Sequence, residues 1–141
     1  MNKVIQIISW ITITLAIGVI SVISYWMIYP YKTVEFYNGT FPIENENSTV
    51  ERGGRLRYRV NACKFTDQAP EITKFFIDGV VYETPKSPGG IEKGCGITIT
   101  DVYVPKAIPA GEYTLKILVE YHVNPIRTIT FTNYTEPFIV E

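Results

Sequence analysis

The chain has 141 residues, with 13 basic and 14 acidic side chains dispersed along it for a formal net charge of -1. No basic block exists to grip a phosphate backbone, so nucleic acid is excluded as a partner on electrostatic grounds. The length leaves room for one domain beside a membrane segment, and the 10 Tyr and 7 Phe, with many Val, Ile and Thr, favour strands over helix.

From Val4 to Tyr31 there is no charged residue. The run Val4 to Tyr29 reaches about 39 Å as a helix, more than the roughly 30 Å hydrocarbon core of a bilayer, and predicts a transmembrane anchor over residues 1–31. Trp10 lies near one boundary and Tyr25, Trp26, Tyr29 and Tyr31 at the other, where aromatic rings prefer the headgroup level, and Pro30 ends the helix. A cleaved signal peptide, cut after Ala16-Ile17-Gly18, is the competing reading. It would leave the apolar stretch VISVISYWMIY as the new N-terminus, whereas an uncleaved anchor explains the whole run. Thr14, Gly18 and Ser21 fall near one helix face, a small-residue pattern that would let helices approach in the bilayer. Scattered lipid-facing small residues explain it as well, and oligomeric state stays open.

Residues 32–141 predict one extracytoplasmic β domain. Val34 to Tyr37 and Phe41 to Ile43 are short edge candidates broken by Asn38-Gly39 and Pro42. In Arg55 to Val60, Leu56, Tyr58 and Val60 alternate with Arg55, Arg57 and Arg59, the period of a half-buried antiparallel strand. Ile72 to Ile77 and Val80 to Thr84 flank Asp78-Gly79, the signature of a two-residue hairpin turn. A Pro- and Gly-rich loop, Pro85 to Gly96, carries Cys95 and leads into Ile97 to Val104. After Pro105 and Pro109 come the long alternating strand Tyr113 to Val123, then Ile126 to Thr132 and Phe138 to Val140. Seven or eight strands without a helical period between them predict an antiparallel, immunoglobulin-like β-sandwich behind one transmembrane helix.

The two cysteines, Cys63 and Cys95, read as one disulfide formed in an oxidising compartment. That pairing, more than the sparse flanking charge, places the N-terminus in the cytoplasm and the β domain outside. Both tryptophans lie in the membrane segment, so the Cys, Trp, Cys pattern of true immunoglobulin domains is missing.

The stretches PAGEYTLKI (Pro109 to Ile117), YHVNPIRTI (Tyr121 to Ile129) and TEPF (Thr135 to Phe138) stand behind an anchor ending in WMIYPYK (Trp26 to Lys32). In these the chain resembles uncharacterised small membrane-anchored proteins of bacteriophages. The resemblance spans nearly the whole chain and implies origin and architecture; it carries over no functional residue.

Candidate chemistry is thin. His122 is the only histidine and lies on the polar face of its strand, with no partner for a metal site, so neither metal nor cofactor is expected. Asp67, Asp78 and Asp101 sit in or beside predicted turns. Gly89-Gly90 with Gly94 and Gly96 shape a loop, not a phosphate cradle. The distinctive feature is the row Arg55, Arg57 and Arg59, a candidate anion-binding stripe for carboxylates, phosphates or headgroups. Its ordinary counterpart is a solvated face paired with acids such as Glu120. The few linker residues from Pro30 to Thr33 would hold that stripe close to the bilayer. Sequons occur at Asn38, Asn47 and Asn133 and matter only in a eukaryotic source. Together these features predict a non-enzymatic, membrane-tethered interaction module for a protein or envelope component. A structural or membrane-modifying role through helix assembly is the alternative.

Overall fold

The computed structural model describes residues 2–141. They form two compact units: the first runs to Tyr31 and includes His122–Thr128, and the second comprises Lys32–Tyr121 and Ile129–Glu141.

The first unit is dominated by α1, Lys3–Ile28, whose 26 residues bury none of their side chains within the protein. It is long and apolar enough to cross a membrane. The helix stops where the sequence dictates, at Tyr29, with Pro30 unable to continue it. Its final carbonyls, which no helical N–H can reach, are met by the hairpin segment of the same unit. Asn124 Nδ2 donates to Trp26 O at 2.9 Å, and Arg127 Nη1 donates to Met27 O at 2.9 Å and Tyr29 O at 2.8 Å. The Arg127 guanidinium also lies 5.9 Å from the centre of the Tyr31 ring. A cation at this end complements the negative pole of the helix dipole.

The second unit is mainly β, in two sheets, with one short 3-10 helix at Glu46–Ser48. The smaller has the order β1 (Val34–Phe36), β3 (Arg55–Lys64), β7 (Gly94–Tyr103). The larger follows the order β2 (Thr49–Val50), β10 (Phe138–Val140), β8 (Gly111–Asn124), β4 (Glu71–Asp78), β5 (Val80–Glu83). Off that path β6 (Ser87–Pro88) pairs with β4, and β9 (Arg127–Tyr134) pairs with β8. Alternation drives the long strands. In β8 the side chains of Tyr113, Leu115, Ile117, Val119 and Tyr121 are buried, and Leu118 falls on the opposite, half-covered face. In β3, Leu56, Tyr58 and Val60 are buried while the intervening arginines are exposed. These inward rows meet Phe41, Phe76 and Phe138, with Phe41 stacked on Tyr58 at 6.1 Å and Phe76 edge-on to Phe138 at 6.1 Å. Each such buried side chain contributes roughly 1.5–3 kcal/mol of burial free energy.

Several expectations need correction. The sheets are mixed: β10 runs parallel to β2, pairing Ile139 with Thr49 and Val140 with Val50, and Phe41 bridges Thr135 in parallel. Among the described residues ten strand segments form rather than seven or eight, because β2 and β6 are two-residue pairings too short to carry a pattern. Phe41 to Ile43 makes isolated bridges instead of a strand, and its value is the Phe41 ring in the core. The β4–β5 hairpin pairs Asp78 with Val80, so its turn centres on Gly79, whose φ of 63° is the left-handed conformation glycine adopts freely. Cys95 lies inside β7, not in a loop before it. Asp101 is likewise a mid-strand residue of β7.

Candidate functional site

The arginine row lies on the outer face of the three-stranded sheet, where antiparallel register sets each arginine beside a residue of β7. Arg55 pairs with Tyr103, Arg57 with Asp101, and Arg59 with Ile99. Asp101 turns its carboxylate diagonally to Arg55, with Oδ2 3.1 Å from Nη1, and the Tyr103 hydroxyl bonds the same guanidinium. Arg59 forms an ion pair with Glu44. The expected pairing with Glu120 does not occur; that carboxylate faces Lys86 at 3.5 Å. Arg57 has its backbone N–H held by Asn45 Oδ1 at 2.6 Å, and among the described residues no acid closes an ion pair with its guanidinium. Two of the three charges are therefore matched locally, which lowers the pull of the row on a bare anionic surface.

The same face carries an apolar row that the arginine pattern obscured. Ile97, Ile99 and Tyr103 are 64%, 50% and 60% exposed. They belong to β7, which among the described residues pairs only with β3 and so presents an open edge. Opposite Ile97 stands Asn61, and the row continues to the disulfide. Cys63 and Cys95 are direct register partners, bonded with their Cα atoms 4.0 Å apart. The Tyr37 hydroxyl lies 3.1 Å from Cys63 Sγ.

Two buried lysines went unnoticed in the sequence. Lys64 shares the inward parity of Tyr58, Val60 and Ala62, and Lys74 that of Ile72 and Phe76. A cation on the apolar parity of a strand was the available signal. Lys74 Nζ donates to the Asp101 carbonyl at 3.2 Å and lies 5.7 Å from the Tyr58 ring centre. Burial lowers its pKa, partly offset by the negative charge of Asp101. Lys64 Nζ donates to the Ile91 carbonyl at 2.9 Å.

The other candidates are scattered. His122 Nδ1 lies 2.9 Å from Thr128 Oγ1 across its hairpin. Among the described residues no three His, Cys, Asp or Glu side chains gather as metal ligands. Asp67 ion-pairs with Lys93 at 3.0 Å. Of the sequons, Asn47 is exposed and Asn38 half-buried, while the Nδ2 of Asn133 is enclosed by protein. Thr14 and Ser21 give their hydroxyl protons to Trp10 O and Ile17 O of their own helix.

No family profile and no curated protein matches the chain. Among solved structures it is similar to a β-glucosidase from Listeria innocua, in complex with glucose, at 12% identity and a TM-score of 0.35. That alignment covers 77% of this chain and 17% of the other. A β-glucosidase from Erythrobacter marinus aligns at 11% identity with a TM-score of 0.37, covering 77% of this chain and 18% of that one. The chain thus spans less than a fifth of the length of either enzyme.

Proposed function

We propose that this chain is a membrane-tethered interaction module that performs no chemistry and presents an immunoglobulin-like sandwich outside the cytoplasm. The observation that carries the reading is the mixed apolar and cationic outer face of β3 and β7, in a chain with one exposed apolar helix. Isoleucine, tyrosine and arginine side by side are what a protein partner buries at the centre of an interface. A lipid headgroup would use the arginines alone, and two of them are already paired. The disulfide supports an oxidising location for the domain. The resemblance to membrane-anchored phage proteins supports action at a host envelope. Helix assembly through Thr14, Gly18 and Ser21 is the weaker alternative, because two of the three hydroxyl-bearing or small positions are engaged within the helix.

A photo-crosslinking amino acid at Ile99 tests the reading, with Val81 on the other sheet as control. One discrete adduct from position 99 in intact cells, lost when Arg57 is changed to Glu, is the expected outcome. Adducts of equal yield from both positions, or none from 99, would count against it. Binding of the wild type to anionic liposomes that disappears in Arg57→Gln would instead assign the face to headgroups.

A further inference from the structure

Between the two sheets lies a cavity of about 230 Å³. Its walls include Tyr58 and Val60 from β3, Ile72 from β4, and Ile117 and Val119 from β8. Lys64 joins this lining although it is only 6% exposed. An engineered apolar cavity of 150 Å³ accepts a benzene ring, so this one has room for a short acyl chain or the end of a longer one.

The lysine gives the cavity a chemical preference. A buried ammonium needs an anion or a full set of acceptors. Lys64 has the Ile91 carbonyl, and an ammonium carries three donors. Among the described residues no carboxylate closes an ion pair with Lys64. Ile91 belongs to the segment that also lends Gly89 and Gly90 to the cavity wall. Gly89 is packed so closely that a Cβ there would come within 2.6 Å of Pro70 Cγ, which fixes this wall against β4. Half-buried Thr98 and Thr100 add hydroxyls to the opposite side.

We infer that the cavity binds a single-chain anionic amphiphile, with its acid head on Lys64 and its tail between the sheets. The site lies inside the β domain and does not rest on the reading of the outer face, although Ile99 and Asp101 belong to both. The head is a carboxylate or a phosphate monoester; the cavity is too small for a two-chain lipid.

The test uses the full chain in zwitterionic nanodiscs with two probes. Octanoate labelled with 13C at the carboxyl is added from solution, and lysophosphatidic acid followed by 31P is incorporated in the disc. The expected result is a second, protein-dependent resonance for at least one probe, absent from empty discs and from Lys64→Met, with octanol failing to compete as well as octanoate. The probe that gives the resonance identifies the source of the acid head. Val119→Phe, which fills the cavity from β8, should lose the signal with Lys64 intact, so the proposal stays testable if Lys64→Met misfolds. Spectra identical to empty discs for both probes, or a resonance that persists in a folded Lys64→Met, would overturn it.

Discussion

At the scale of single residues, the most informative side chains are charges placed where the strand pattern calls for apolar groups. Lys74 is 8% exposed, and its ammonium has a carbonyl, an aromatic face and the charge of Asp101, which only partly offsets its burial. Burial therefore lowers its pKa from the ordinary 10.5. The unfolded chain keeps that proton up to its own higher pKa. Below the folded pKa the full penalty applies, and stability recovers as pH rises from there toward 10.5. Lys74→Met is expected to raise stability by about 1 kcal/mol near neutral pH, as isosteric replacement of a buried charge often does. The difference from wild type should narrow as pH rises toward 10.5 in urea unfolding, and a widening difference would contradict the account. The disulfide is the other single-residue feature with a large effect. It joins positions 32 apart in sequence, and in the chain-entropy model its removal costs about 3–4 kcal/mol. Changing Cys63 and Cys95 together to Ala should lower the urea midpoint accordingly, without loss of the β3–β7 register.

At the scale of elements, the turn at Gly79 and the end of α1 make separable predictions. A Cβ at Gly79 meets nothing within 4 Å, so only its φ of 63° opposes substitution. Gly79→Ala should cost about 1 kcal/mol and Gly79→Asn less, since Asn tolerates the left-handed region. The last turn of α1 depends on the Arg127 guanidinium for two carbonyls. Arg127→Ala should cost about 1–2 kcal/mol and speed hydrogen exchange at the Tyr29 amide, which donates to Tyr25 O at 2.9 Å. These elements were not equally readable in advance. The helix was legible because a charge-free run meets a proline, and β3, β8 and β10 because period two persists or a proline marks the start. Cys95 was hidden in a loop reading because Gly94 and Gly96 flank it, though β3 supplies the ladder that overrides their poor strand propensity. Asp101 suggested a turn by residue type, whereas its carboxylate is satisfied in mid-strand by Arg55. The parallel β2–β10 pairing joins two and three residues from distant parts of the chain, with no local signal to betray it. Of the candidate surface, the arginines were visible by alternation. The exposed isoleucines beside them were not, since apolar residues in a strand ordinarily face inward.

At the scale of the whole molecule, one apolar helix and one disulfide-bonded β unit are joined in a single chain. The helix of 26 residues, with no side chain buried in the protein, is long and apolar enough to cross a bilayer. The proposed function rests on that anchor staying in place with the β unit on the oxidising side. Protease protection in sealed, right-side-out vesicles, with different epitope tags at the two termini, measures this most directly. The account requires a protected N-terminal tag and a chain of full mass before digestion, with the C-terminal tag lost on adding protease outside. A chain beginning near Val19, or a C-terminal tag that survives until the vesicles are opened, would contradict it.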